Sequence, residues 1–340
     1  MFKNSCLLSI LMNDGEYAGD YLNSKTDNYL EKRSIGVSFT EKASYSIELK
    51  KLDGRLLLAG FSYRSLNSNN EDESPSTIRG NNIRAIISRA KKEHISTMFC
   101  IPENHIFAKR IELKYPALEK YSHQPSWILK QHFRGIKTKL FLGIYKISED
   151  SQRGTLYSAV AYPNSIIEAF RLCGVDYGGV FPIIAESIAF YKALDFSLNL
   201  RTDAPLLFLK TNGNIFPFVF IKNGIFADCG VFRLGNGAEA LEELLIDIKT
   251  KLYYLFGDGS RFDKCSILIG GEVEEHSPLL NRIKTEITPK TNLFRPIDGL
   301  EISDRKYRRD DLLNNQHHYI SAFGAALYGL DNFADGKSDR

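Results

Sequence analysis

Cysteine is scarce and scattered in this 340-residue chain: Cys6, Cys100, Cys173, Cys229 and Cys265 are odd in number and no two form a CxxC pair. Such a set excludes a disulfide framework and a zinc site, and reads as small apolar side chains in a reducing compartment. Long apolar runs are also missing. The longest early one, Cys6 to Met12, falls well short of the roughly 18 residues that cross a bilayer. It has the length of a signal-peptide core, but Asp14 and Glu16 follow it and no clean small-residue cleavage site does, so the chain reads as cytosolic. Excess charge of one sign is lacking as well: 44 Lys and Arg stand against 41 Asp and Glu, a net +3. That balance argues against a nucleic-acid partner and a polybasic membrane anchor. HExxH and GxSxG are absent. His317 and His318 point apart on a helix and have no His at i+4, which argues against a metal pair. Acidic residues are plentiful but dispersed, and no carboxylate pair is assigned to catalysis. The single Trp, Trp127, is a core residue or an exposed anchor for a partner.

What remains is an ordinary globular composition, 43% hydrophobic and 25% charged, of a length that suggests about two domains or one lobed one. Residues 1–33 show no clear period and read as an added strand or a mobile arm. Ile35–Phe39, Ser44–Leu49 and Arg55–Phe61 read as strands, the last two joined at Asp53-Gly54, a hairpin signal. The polar stretch Asn67–Asn82 reads as a surface loop. Ile83, Ile86, Ile87 and Ala90 follow at helical spacing, then a strand, Met98–Ile101, ends at Pro102. Ile106–Leu113, Leu140–Ile147 and Thr155–Ala161 read as strands, and Gln124–Phe133 and Ser165–Cys173 as helices. The second of these helices is opened by Pro163 and stopped by Gly174. This block resembles an inserted subdomain, and a helix from about Ile184 to Leu194 follows it.

The second half repeats the opening. Leu206–Leu209, Ile215–Lys222 and Ile225–Phe232 read as strands, with Asn223-Gly224 joining the last two as Asp53-Gly54 does, about 170 residues earlier. Gly235-Asn236-Gly237 then opens a helix whose apolar stripe is Leu241, Leu244, Leu245, Ile248, Leu252 and Leu255. Without the further Gly and Lys of a P-loop, this glycine pair reads as a turn with Asn236 as N-cap. Cys265–Ile269 is a buried strand entering Gly270-Gly271. A last helix, about His317 to Leu330, carries Ala322, Gly324, Ala325, Ala326 and Gly329, small residues that admit a close neighbour.

Two duplicated strand–hairpin units, an insertion in the first and a Gly-Gly after a buried strand match the duplicated ribonuclease H-like, two-lobed α/β fold of actin and the sugar kinases. One branch resembles the chain more closely. Ile35–Phe61 is similar to the opening of the PilM family, the FtsA-like cytoplasmic proteins of type IV pilus assembly, and Ile101–Leu113 to the entry into that family's inserted 1C subdomain. Phe170–Val175, Ala185–Ala189, Ile269–Gly271 and Tyr319–Leu327 resemble its later segments in order. The resemblance implies an N-terminal extension (1–33), a first core subdomain 1A (34–97, resumed at 181–204), the inserted 1C (98–180), a second lobe with the closing helix (205–330) and a tail (331–340).

It also implies a nucleotide site, and here the chain departs from the family. Ser38 and Thr40 stand where the first phosphate loop has Asp and Gly, with Tyr45 near the later polar position. Lys210, Asn212 and Gly213 stand at the second, usually Asp-x-Gly. Gly270, Gly271 and Glu272 keep the adenosine-side turn. With both metal-binding carboxylates missing, the site is expected to be degenerate: no cofactor and no metal are expected, and ATP with Mg²⁺ only if the loops still bind. A compensating carboxylate such as Asp228 would weaken that expectation. The implied role is a cytoplasmic scaffold of a type IV pilus, or of type II secretion in the manner of the related GspL. It would dock the short tail of a PilN-like single-pass inner-membrane protein between the first core subdomain and the insertion. Phe99, Ile101, Pro102 and Ile106 are the expected groove residues. The rivals are an active actin-like ATPase and, less well supported, a sugar kinase, for which the second-half turn supplies no catalytic Asp.

Overall fold

The computed structural model describes residues 8–10, 32–66, 74–113, 132–133, 135–136, 139–150, 154–174, 182–200, 204–237, 239–256, 262, 264–274, 277–303 and 309–332. A short strand β1 (Leu8–Ile10) precedes an antiparallel meander, β2 (Lys32–Phe39), β3 (Ala43–Leu52) and β4 (Arg55–Ser65). The turn between β3 and β4 has positive φ at both centres, Asp53 at 48° and Gly54 at 79°, the mirror-image turn that matches strand twist. Helix α1 (Pro75–Glu93) crosses over to β5 (Ser96–Ile101), which runs parallel to β2. The stretch expected to be loop as far as Asn82 is therefore helical from Pro75. The Ser74 hydroxyl caps the Thr77 N–H, and proline at the first helical position costs no hydrogen bond.

Strands β6 (Phe107–Leu113), β7 (Leu140–Asp150) and β8 (Gly154–Pro163) form a separate sheet in the order β1-β7-β8-β6, and helix α2 (Asn164–Leu172) follows. β1 pairs antiparallel with β7, so a stretch of the N-terminal segment is an added strand. The helix expected over Gln124–Phe133 lies almost wholly outside the described residues, and Trp127 with it. The chain then returns to β9 (Ile183–Ala185), which pairs parallel with β5, so this sheet is an insertion between two neighbouring strands. Helix α3 (Glu186–Leu198) begins two residues later than expected, because Ile183, Ile184 and Ala185 are a buried strand.

The second half lays down β10 (Leu206–Thr211), β11 (Ile215–Lys222), β12 (Ile225–Arg233), helix α4 (Ala240–Phe256), β13 (Ser266–Gly271), helix α5 (Pro278–Glu286) and β14 (Thr291–Leu293). Asn223 (54°) and Gly224 (71°) repeat the turn of the first half. Asn236 lies too far ahead of Ala240 to cap α4. The chain closes with β15 (Glu301–Ile302), helix α6 (Arg309–Asn315), a 3₁₀ turn over Gln316–His318 and helix α7 (Ile320–Asn332). The two larger sheets have the orders β15-β4-β3-β2-β5-β9 and β12-β11-β10-β13-β14. Leaving out β15, each is a three-stranded antiparallel meander with two parallel strands added beside its first strand. The duplication read from the two hairpins extends to the full strand order.

Strand parity assigns the faces. Leu206 and Phe208 of β10 belong to the core shared with α3 and α7, while Leu207 and Leu209 face the one that includes α4 and α5. On β2, Gly36 lies against α7 so closely that a Cβ would sit 1.9 Å from the Ala322 carbonyl oxygen. Gly324 makes the matching approach to α3, where a Cβ would stand 1.8 Å from the Ala189 carbonyl oxygen. The small residues of α7 thus let one helix press on both the first sheet and α3.

Candidate functional site

Thr40 follows β2, and its hydroxyl accepts the backbone N–H groups of Ala43 (3.0 Å) and Lys42 (3.3 Å), fixing the turn into β3. The corresponding turn of the second sheet is closed by reciprocal backbone bonds between Asn212 and Ile215 (3.0 and 3.1 Å), with Gly213 at φ 58°. The two turns meet across the cleft between the lobes. Glu41 Oε2 lies 3.9 Å from where a Cβ on Gly213 would stand, and Lys42 Nζ lies 3.9 Å from Glu272 Oε2. Glu272 donates its N–H to the Thr211 carbonyl (3.0 Å). Thr40, Asn212, Gly213, Gly271 and Glu272 therefore lie on turns that face one another. Glu41 and Glu272 are carboxylates beside the turns. Asp228, the compensating candidate, is on β12 and is paired with Lys251 at 2.6 Å.

Lys210 behaves differently from the expectation. It shares the parity of Leu206 and Phe208, so its side chain runs toward α3 and α7. Its Nζ lies 2.6 Å from Glu186 Oε1 and 3.0 Å from Ser321 Oγ, and that hydroxyl donates to Glu186 Oε1 at 2.9 Å. The pair is almost wholly buried, 2% and 1% exposed. A phosphate in the cleft would find this ammonium already engaged. Glu186 Oε2 accepts the Glu103 N–H (3.4 Å), and the Glu103 carboxylate accepts the Ser187 N–H (3.1 Å), so α3 is capped from 84 residues upstream. Burial pushes the Glu103 carboxyl up to about 7, against the hydrogen bond it accepts from the Ser187 N–H. Sequence reasoning missed Glu103, Glu186 and Ser321. No local pattern marks them, because their partners lie 24 to 135 residues away.

The glycines of the adenosine-side turn have packing reasons. Gly271 has φ 86°, and a Cβ there would stand 2.2 Å from the Thr211 carbonyl oxygen; one on Gly270 would meet the Ile320 side chain at 2.1 Å. Ser38 is buried, and its Oγ has no partner among the described residues. Its cross-strand neighbour Tyr45 stacks on His318 (5.9 Å) and meets Tyr319 edge-on (5.3 Å). Burial, with Lys210 nearby, pushes the His318 imidazole down.

The expected groove residues divide. Phe99 and Ile101 are interior, Phe99 against Phe170 (5.2 Å), because β5 is a central strand covered on both faces; neither forms the wall of an open groove. Pro102 is half-buried at the end of β5. Ile106 does line a cavity of about 340 Å³, together with Glu103, Lys109, Phe133, Ile136 and Gly230. The cavity lies between the inserted sheet and β12.

No protein-family profile matches the chain, and no curated protein matches it in sequence. Solved structures do. A chain of the PilM–PilN type IV pilus biogenesis complex superposes with a TM-score of 0.64 at 13% identity, over 89% of this chain and 99% of that one. A Bacteroides thetaiotaomicron protein with an actin-like ATPase fold and unknown function gives 0.47 at 8% identity, over 78% of this chain and 91% of its own. The cytoplasmic domain of EpsL, an inner-membrane component of the type II secretion system of Vibrio cholerae, gives 0.40 at 9%, over 84% and 94%. With the repeated strand order, the first match establishes the fold as actin-like and two-lobed, with a sheet inserted in the first lobe. Among the described residues no helix is long and apolar enough to cross a membrane.

Proposed function

We propose that this chain is a cytoplasmic actin-like scaffold of a type IV pilus or type II secretion platform at the inner membrane. It holds the short tail of a PilN-like single-pass protein, and its cleft no longer serves Mg-ATP. The observation that carries this reading is the likeness in fold, across nearly the whole of both chains, to a protein solved as part of a PilM–PilN complex. The cavity beside Ile106 is a fitting seat for the tail. Its walls combine apolar residues such as Ile106, Phe133 and Ile136 with Glu103 and Lys109, and it lies between β6 and β12, each the outermost strand of its sheet, which is where extended peptides add.

The loss of nucleotide chemistry is argued from charge. Phosphoryl transfer needs a divalent cation to neutralise the phosphates, and carboxylates to hold it. Here the second-turn Asp is replaced by Lys210, whose ammonium is committed to Glu186. Glu272 sits close to the ammonium of Lys42. The residues present do not fit Mg-ATP.

Two experiments test the reading. A ligand at 100 times its Kd stabilises a fold by about 2.7 kcal/mol, which for a chain this long raises Tm by a few degrees. Millimolar Mg-ATP is expected to leave Tm unchanged, and denaturation to release no nucleotide. An Mg-dependent rise would put the active actin-like ATPase first, with Glu41 as the metal-facing carboxylate. Co-expression with a PilN-like protein is expected to yield a complex that Phe107→Arg, at an exposed residue lining the same cavity, abolishes while Tm holds. Undiminished capture by that variant would remove the cavity from the proposal.

A further inference from the structure

From the buried polar knot at the floor of the cleft, we infer that Lys210 is a built-in clasp between the lobes. Its ammonium bridges them in cis, so their closed arrangement does not depend on a bound ligand. The inference rests on the reading that the second turn no longer serves nucleotide, and it adds what has taken the ligand's place. Lys210 is carried by the second sheet. Glu186 and Ser321 stand in the first turns of α3 and α7, the helices that Gly324 and Gly36 hold against each other and against the first sheet. The three side chains close a triangle of 2.6, 3.0 and 2.9 Å. Away from water such a pair is directional as well as strong, whereas an apolar pair of the same volume holds packing but not orientation. The knot also extends sideways. Through the Glu103 N–H it reaches the root of the inserted sheet. The second sheet, two helices and, through Glu186, the root of the inserted sheet therefore meet around one buried ammonium.

The test separates orientation from stability. Lys210→Met combined with Glu186→Met replaces the ion pair by an apolar pair of similar size. That double variant is expected to keep a Tm near the parent's. Its small-angle scattering should broaden, and the amides in the first turns of α3 and α7 should exchange at least tenfold faster. A double variant as compact and as protected as the parent overturns the clasp, leaving the triangle as a packed polar contact. Should the double variant fail to fold, Ser321→Ala leaves both charges in place. It is expected to speed exchange at those two turns a few-fold, and no change there overturns the inference. Mg-ATP added to the parent keeps the two ideas apart. Protection by nucleotide sinks the degenerate-site reading, while opening of the variants without nucleotide still supports the clasp.

Discussion

On the face that β2 turns toward α7, the first lobe presents Ser34, Gly36 and Ser38. On the corresponding face of β10, the second presents Leu206, Phe208 and Lys210. Strand order and turn chemistry are the same in both lobes, yet one lobe uses small residues to admit a helix and the other uses large ones to reach across to it. The contrast is confined to these two strands, since elsewhere on the first sheet Tyr45 and Phe61 meet Tyr319 edge-on. The second is rich in aromatics, with Phe218 stacked on Phe232 at 4.6 Å and Phe208 edge-on to Phe190 at 4.7 Å. The difference shows that duplication preserves backbone pairing, which depends on turns and alternation, and leaves side-chain volume free to be divided between the halves. It also explains why the second lobe, and not the first, supplies the cation at the cleft floor. A long side chain is needed to span from β10 to α3, and β2 is already in contact with α7.

If the first lobe's contribution is close approach, the largest effect belongs to Gly324→Ala. The added Cβ would stand 1.8 Å from a backbone oxygen that cannot swing aside, so a loss of roughly 4 kcal/mol or more is expected in urea denaturation. A variant that unfolds at the parent's midpoint would break the comparison at its root. The second lobe's contribution is tested by Lys210→Met alone. It leaves Glu186 buried without its counter-charge, and about 3–5 kcal/mol should be lost. A loss below about 1 kcal/mol would place Lys210 on the same footing as an exposed pair.

Glu103 gives a smaller effect, and one that depends on pH. Its carboxyl is held near 7 in the fold against 4.5 when free, so the folded state binds the proton more tightly. Its contribution is intact below about pH 4.5 and declines as pH rises toward 7, at about 1.4 kcal/mol for each unit, or roughly 3 kcal/mol in all. Glu103→Gln should flatten the stability profile across that window and leave the variant at least as stable as the parent at pH 8. Parallel profiles would mean that Glu103 is solvated or otherwise paired.

Much of this architecture is legible in the sequence for local reasons. Asp53-Gly54 and Asn223-Gly224 announce their hairpins because both central residues need positive φ, and β2 and β3 alternate apolar with polar or small residues. Ile183–Ala185 is a different case: three buried apolar residues running straight into a helix have no period to distinguish them. At the cleft, the resemblance placed Thr40, Asn212, Gly213 and Glu272 near one another. The direction in which Lys210 points was hidden, since it depends on β10 parity and on Glu186 and Ser321, distant in sequence. Phe99 and Ile101 were misplaced for a related reason. A junction in the sequence suggests a groove, but β5 is paired on both sides, with β2 and β9, and of the four residues only Ile106, beyond the strand's end, reaches the cavity.

The smallest effect concerns a motif that both lobes use. Ser74-Pro75 opens α1 and Ser277-Pro278 opens α5, and in each the serine hydroxyl accepts the N–H three residues on, at 3.2 Å. The Ser74 hydroxyl is exposed and is shared with Ser76 and Thr77 (2.7 and 2.9 Å), whereas that of Ser277 is half-buried. Loss of a capping hydroxyl costs about 1 kcal/mol, and more where water cannot replace it. Ser277→Ala is therefore expected to lower stability by about 1 kcal/mol and Ser74→Ala by about half that, measured as midpoint shifts in the same denaturant. A reversed order would mean that neighbouring hydroxyls do not substitute for the cap, and that the two lobes depend on this shared motif in proportions opposite to their burial.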